Sequence, residues 1–363
     1  MNIQGKFKKH KWFWVVCILL IAGIRLWALN SYRVENFYTG NFYFSFSAAL
    51  RFLFGWIPFS FGDILYFIAA CWLLIKIMKF IRSGFGKKFN REYFFNKLYS
   101  ILFICTVIYI VFNIFWGLNY NRKGIAWQLH LPEVNYDSAN LKTIQYFLLQ
   151  KVNSTKKILV NKNVSYPDKK ELFTRAIKCY NDAAASYSFM KYKFPSVKSS
   201  IYGYLGDYLG FTGYYNPFTG EAQVNTTVPK FLVPYITLHE MGHQLGYAKE
   251  DEANFSGYLA AANSHDTLFQ YSTYLDLFVY ANREVYYFDS TTSRQAVIQL
   301  IPEVKQDLLE WKRFNQKYTN FFEPAISWLY GKYLQINQQP QGLHSYNEVI
   351  ATLMAYYKKY GKI

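Results

Sequence analysis

Thr237-Leu238-His239-Glu240-Met241-Gly242-His243-Gln244-Leu245-Gly246, with Glu250-Asp251-Glu252-Ala253-Asn254-Phe255 close behind, decides how the chain is read. The first run contains HExxH. On a 3.6-residue repeat, His239 and His243 stand one turn apart on one face, so both imidazoles reach a single ion. Glu240 is rotated by about 100° from His239, which puts its carboxylate beside that ion, where a general base for metal-activated water belongs. Pro229 and Pro234 precede the helix, Leu238, Met241 and Leu245 give it a core stripe, and Gly246 stops it. Gly242 costs a helix interior about 1 kcal/mol relative to Ala, which predicts a close approach by another segment. The chain has six histidines, and the pairing of two of them here favours a metal site over solvated side chains.

Upstream, residues 195–225 differ in kind from the rest, with glycines at 203, 206, 210, 213 and 220 among tyrosines and phenylalanines. Two short strands are expected, over 211–215 and 221–226, joined by the turn Asn216-Pro217-Phe218-Thr219-Gly220. A hairpin edge beside a metal helix can hold an extended peptide by strand addition. Glu221 and Asn225 then become candidate substrate contacts, with a purely structural hairpin as the competing reading.

Further upstream the chain is a membrane anchor. Lys6, Lys8, Lys9 and Lys11 precede an apolar run over 12–29, and further runs cover about 62–81 and 98–118. Each suits a bilayer span of roughly 20 residues, and no small-residue cleavage site follows the first. Arg25 lies near the far end of the first run and is expected to snorkel to the interface. Arg82, Lys87, Lys88, Arg91 and Lys97 make the loop between the second and third runs strongly basic. The positive-inside rule therefore places the N-terminus and this loop in the cytoplasm and everything after about Trp116 on the outer side. Residues 51–61, with Trp56 and Pro58, read as an outer-interface segment or an ordinary connecting loop, and 116–132 as a juxtamembrane linker.

The remainder reads as helix. Ser138 opens a helix to about 152, Asp168 and Glu171 resemble a capping box opening another to about 187, and further helices are expected over 251–262, 266–283, 302–317, 323–334 and 346–360. The fold class is thus mainly α: a three-span anchor over 1–118, then a predominantly helical domain over 119–363 with a small β-hairpin before the HExxH helix. The formal charge of +17 comes without an arginine-rich patch or zinc-finger spacing, so nucleic acid is excluded as a partner. Of the four cysteines only Cys179 lies outside the apolar runs, which excludes a disulfide framework.

Two histidines leave zinc at least one protein ligand short, and Glu250, Asp251 and Glu252 are nearest. His239-Glu240-x-x-His243 followed by Glu250-x-x-Ala253-Asn254 resembles the gluzincin metallopeptidases, whose third ligand is the glutamate of an ExxxD or ExxAD motif on the next helix. The resemblance implies Glu250 as ligand and Asn254 in place of the supporting Asp, with Glu252 as rival. Asn254 can hydrogen-bond an imidazole but supplies no charge. The chain also resembles a bacterial family of membrane-anchored, gluzincin-like proteins with a domain of unknown function. The motifs that carry this are Pro58-Phe59-Ser60-Phe61-Gly62-Asp63, Trp116-Gly117-Leu118-Asn119-Tyr120 and Pro217-Phe218-Thr219-Gly220-Glu221-Ala222, beside the two metal motifs.

That resemblance implies a membrane-anchored zinc peptidase of the cell envelope. Zinc at His239, His243 and Glu250 acidifies water, and Glu240 accepts its proton and delivers it to the leaving amine. Its partners are a peptide or protein substrate and the lipid bilayer. His265, Tyr271, Tyr280 and Arg283 are candidate oxyanion or substrate contacts. The competing functions are a zinc amidase acting on cell-wall peptides and a noncatalytic envelope sensor or assembly factor with a structural metal.

Overall fold

The computed structural model describes residues 11–84, 90–133, 137–342 and 348–363. Helices α1 (Lys11–Ala28), α2 (Phe44–Phe54), α3 (Phe61–Gly84) and α4 (Arg91–Phe115) come first. Of these, α1, α3 and α4 are long and apolar enough to cross a membrane, and hardly any of their residues is buried inside the protein. A helix apolar on all sides is stable in lipid and not in water, so the three suit membrane insertion. Lys6, Lys8, Lys9, Lys87 and Lys88 lie outside the described residues. Near the far end of α1, the Arg25 Nε donates to the Tyr109 hydroxyl on α4 at 2.5 Å. α4 stops at Phe115, short of 118, because Trp116 leaves helical geometry and a 3-10 turn covers Gly117–Asn121.

The segments before α3 and after α4 are more structured than the sequence suggests. A π-helical stretch, Val34–Tyr43, runs directly into α2. Within 51–61, Arg51 is buried and donates to the Lys193 and Gln244 carbonyls, whereas Trp56 stays exposed. The expected linker over 116–132 is instead packed: Trp116, Leu118, Asn119, Tyr120 and Arg122 are all buried. Its anchor is a two-pronged ion pair, Arg122 Nη2 and Nε to Glu35 Oε1 and Oε2 at 2.7 and 3.0 Å, which needs both segments folded together.

The rest is helical apart from one small sheet. α5 (Ser138–Asn161) is capped by Asp137, not Ser138, and its buried stripe through Val152, Thr155 and Leu159 carries it past the expected end. Asp168 caps α6 (Lys169–Ser186) as expected, accepting from the Glu171 N–H at 2.9 Å. Strand β1 (Val197–Ser199) and helix α7 (Gly203–Leu209) then precede β2 (Gly213–Asn216) and β3 (Glu221–Val224). The hairpin is present, with Tyr215 opposite Ala222, and β1 adds in parallel to its other side to give the order β1-β3-β2. The sequence reading misses β1, too short for a visible alternation, and α7, whose glycines look like turn residues.

The HExxH helix α8 (Val233–Gln244) crosses α9 (Glu250–Ala262), and α10 (Thr267–Phe288) packs along α5. At the crossing a Cβ on Gly242 would stand 2.7 Å from Ser256 Oγ and 3.1 Å from the Ala253 carbonyl oxygen, which is the close approach the glycine implies. An unanticipated helix α11 (Ser290–Ile298) follows, capped by Asp289, and then α12 (Pro302–Tyr318), α13 (Glu323–Ile336) and α14 (Glu348–Tyr360). Residues 346 and 347 of the expected last helix lie outside the described residues. One apolar core runs through α5, α6, α8 to α10 and α14, with Leu238 and Met241 fully buried in it.

Candidate metal centre

Gly246 reverses the chain after α8 with φ of +84°, a left-handed conformation that glycine adopts without a Cβ clash. That turn is why so short an interval can bring Glu250, the first residue of α9, back over the α8 face. Its Oε2 lies 3.2 Å from His239 Nε2 and 3.7 Å from His243 Nε2, and the three donor atoms fall within 4.8 Å of one another. The Gln339 side-chain oxygen accepts from the Glu250 N–H at 3.0 Å, and the Tyr330 hydroxyl donates to Glu250 Oε1 at 3.0 Å. Glu250 thus enters with its backbone and one oxygen already held.

The donor set fits a metal ion. His239 Nδ1 lies 2.7 Å from Asn254 Oδ1, and His243 Nδ1 lies 2.6 Å from the Tyr247 carbonyl oxygen. Both partners only accept, so each ring in its neutral, metal-ligating form carries its proton on Nδ1 and turns an Nε2 lone pair toward Glu250. Two lone pairs and a carboxylate oxygen then converge in a buried space, and Glu250 Oε2 has no hydrogen-bond partner there. A cation at that point resolves the repulsion. The carboxylates here draw positive charge, whether a proton on a ring or a metal cation. Burial works against charge on His239, but Glu250 and Glu240 carry it up to about 9. Burial also works against the Glu250 anion, yet the two imidazoles hold its carboxyl well below the usual range.

Glu240 lies beside this group, buried, with its Oε2 also without a hydrogen-bond partner. Burial pushes its carboxyl up to about 7, against the pull of His239 and His243. A Cβ on Gly213 would come within 2.5 Å of Glu240 Oε1, so the start of β2 runs directly past this carboxylate. Two groups on α10 come within electrostatic reach of this space. Asp276 is pushed by burial up to about 7, is within electrostatic reach of His239 and hydrogen-bonds Tyr280, which in turn senses Glu250. Sequence reasoning missed Asp276, although an acid in the apolar middle of α10, one turn before Tyr280, was a usable signal. It also missed Tyr330 and Gln339, for which no signal existed: one of 34 tyrosines and one glutamine of a loop-like stretch.

The other expected residues lie elsewhere. Glu252 turns toward Gly124 and Lys249 and is not part of the His239, His243 and Glu250 group. Glu221 is fully buried and accepts from the Phe61 and Gly62 N–H groups at 3.2 and 2.7 Å, so it caps the N-terminus of α3 rather than meeting a substrate. Asn225 is equally buried and donates to the Gly203 carbonyl and Asp207. The Tyr271 hydroxyl is taken by Asp307, His265 is exposed, and Arg283 lies over the Tyr280 ring. Of the four expected oxyanion contacts, Tyr280 comes within electrostatic reach of Glu250.

Side chains from the membrane-proximal segments hold the end of α8. The Tyr43 hydroxyl lies 3.3 and 3.2 Å from the His243 and Gln244 carbonyl oxygens, and Arg51 and Arg122 donate to the Gln244 and Leu245 carbonyls. These are the carbonyls that a helix C-terminus leaves unpaired. The Trp116 ring, directly after α4, stands edge-on to His243 with ring centres 6.0 Å apart. No curated protein and no solved structure matches the chain. The DUF3810 family, described as a protein of unknown function, matches residues 38–354, from the π-helical stretch into α14, and the chain belongs to that family.

Proposed function

We propose that this protein is a membrane-anchored, zinc-dependent peptidase of gluzincin type, with residues 1–118 as anchor and 119–363 as the hydrolase. The observation that carries the reading is the convergence of two imidazole Nε2 atoms and Glu250 Oε2 beside a second carboxylate, Glu240, with an oxygen left unengaged. His239, His243 and Glu250 would hold the ion, which supplies Lewis acidity toward a carbonyl and acidifies water. Glu240 takes the proton of the attacking water and passes it to the leaving amine, a role suited to a carboxyl whose pKa burial raises toward neutrality. Tyr280, held by Asp276, donates to the developing oxyanion. A scaffold with a structural metal has no use for Glu240 in this position. The basic residues Arg82, Arg91 and Lys97 support a cytoplasmic α3–α4 loop, and with it a metal centre on the outer side of the spans.

The test is Glu240→Gln in the full chain in detergent or nanodiscs. Zinc content by mass spectrometry should match wild type, while peptide hydrolysis falls by roughly two to four orders of magnitude. Unchanged hydrolysis would remove Glu240 from the mechanism; a wild-type protein that takes up no zinc would remove the reading altogether.

A further inference from the structure

Helix α7 packs against α13 and against the turn that leads into it from α12, where Asn320 Nδ2 donates to the Tyr208 carbonyl at 2.7 Å and the Tyr208 ring stands edge to face with Tyr318. Together they leave a broad apolar surface uncovered. Tyr204, Leu205, Phe322, Trp328, Leu329 and Ile336 are each between 51% and 70% exposed. Charge is sparse: residues 201–209 and 321–336 contain only Asp207, Glu323 and Lys332, and Asp207 is buried and engaged by Asn225 and Thr227. Large apolar side chains exposed together with so little charge are a liability in water.

Its position says what covers it. Asp63, in the first turn of α3, accepts from Ser200 Oγ at 3.1 Å, from the Ile201 N–H at 2.7 Å and from the Tyr214 hydroxyl. The Asp63 carbonyl accepts from the Tyr202 hydroxyl at 2.8 Å, and that hydroxyl is within electrostatic reach of Cys71, well along the same helix. The chain that leads into α7 is therefore fastened to the flank of a spanning helix. α13 is fastened to the same region, through the hydrogen bond between Tyr333 and Tyr120, just past the end of α4. The apolar face of α7 and α13 thus continues the lipid-facing surface of α3.

We propose that α7 and α13 dip into the bilayer beside α3, so that the metal centre works at the lipid boundary on polypeptides anchored in the same membrane. Resting on the peptidase reading, this names the substrate class. The centre is close enough to the spans for it: His243 is one aromatic ring, Trp116, away from the end of α4. Gly213, which passes Glu240, is followed by Tyr214, whose hydroxyl bonds Asp63 of α3. An anchored chain emerging beside α3 reaches this centre without leaving the surface, whereas a freely diffusing peptide forgoes the gain in local concentration that tethering brings.

Two measurements on the full chain, in nanodiscs of phosphatidylethanolamine and phosphatidylglycerol, test the proposal. Leu205 and Leu329 are replaced, one at a time, by the photo-crosslinker benzoylphenylalanine, with Lys157 on α5 as control. Phospholipid adducts are expected at 205 and 329 and not at 157; crosslinks to a second copy, or no lipid adduct, overturn the membrane-dipping wall. A degenerate fluorogenic peptide library is then offered either palmitoylated on the same discs or free in solution. Zinc-loaded wild type should cut the tethered library at least about ten-fold faster. Leu329→Glu, which keeps the three spans and so the tethering, should lower the rate on the tethered library by lifting the wall from the lipid while leaving cleavage of the free library within about two-fold, since it changes the wall and not the centre. Equal cleavage of both libraries by wild type overturns the substrate class. Cleavage of neither overturns the peptidase reading with it, while the crosslinks still decide the wall.

Discussion

Asn254 orients the His239 ring through a neutral oxygen, where a carboxylate would also add charge. Its loss therefore removes a positioning contact and no net charge. Asn254→Ala should weaken zinc binding by about 10–100-fold, measured by competition with a chelator, while Asn254→Asp should match or exceed wild type because an anion behind the ring makes Nε2 a better donor. Glu240 bears on pH at the same scale. A general base works only without its proton, and burial raises this carboxyl to about 7 before the charge of a bound cation pulls it down again. The pH profile of kcat/KM should accordingly show an acid limb below pH 7, activity falling as Glu240 protonates, and a profile with no acid limb would argue against it. The pair His239 and His243 is legible in the sequence because helical spacing alone makes two side chains neighbours. Glu250 is legible with help from the ExxAN pattern. Asp276 and Tyr330 reach the centre from helices that only tertiary packing brings there, and no local pattern encodes that.

Between α8 and α9 the packing leaves no room for a side chain at Gly242. Gly242→Ala must push back Ser256 Oγ and the Ala253 carbonyl, and the second cannot yield without moving α9. Overpacking of this kind costs about 1–3 kcal/mol, so a lowered Tm in the metal-free protein is expected. Because α9 carries Glu250, zinc affinity should fall as well. Gly210→Ala, whose added Cβ meets nothing within 4 Å, provides a comparison. It carries only the strain of its left-handed φ of +77° and should lower Tm without touching zinc. Elements with a long period, the spans and the helices of the core, were legible because their apolar stripes repeat over many turns. β1 and α7 were not, since three to seven residues hold too little repetition. The same limit explains Glu221: its position in the hairpin suggested substrate, whereas its partner, the N-terminus of α3, lies far away in sequence and draws a carboxylate through its unpaired N–H groups.

Seen across the molecule, the anchor and the centre share one framework, because Tyr43, Arg51, Trp116 and Arg122 all converge on the end of α8. The sequence could show that the spans exist; it could not show that the stretches joining them support the metal helix, since buried ion pairs between distant segments leave no periodic trace. The sharpest consequence concerns Glu35, which touches no candidate ligand. Its carboxylate is fully committed to Arg122, the Gln128 amide and the Lys123 N–H. Arg122 in turn donates to the Leu245 carbonyl and lies over the Tyr247 ring, and the Tyr247 carbonyl orients His243. Glu35→Gln leaves Arg122 as a buried, uncompensated cation, an effect of about 3–5 kcal/mol, and should both lower Tm and weaken zinc binding from a distance. The pH dependence follows from the pair. Burial opposes the Glu35 anion, but Arg122 more than offsets it and the carboxyl is held below its ordinary value. A depressed folded-state pKa means that its stabilisation is complete above the unfolded value of about 4.3 and is lost as pH falls through that value toward the folded one. The gap in Tm between metal-free wild type and Glu35→Gln should therefore be widest near neutral pH and close progressively below about pH 4.3. A gap that stays constant into acid would mean that the ion pair is not what joins the anchor to the centre.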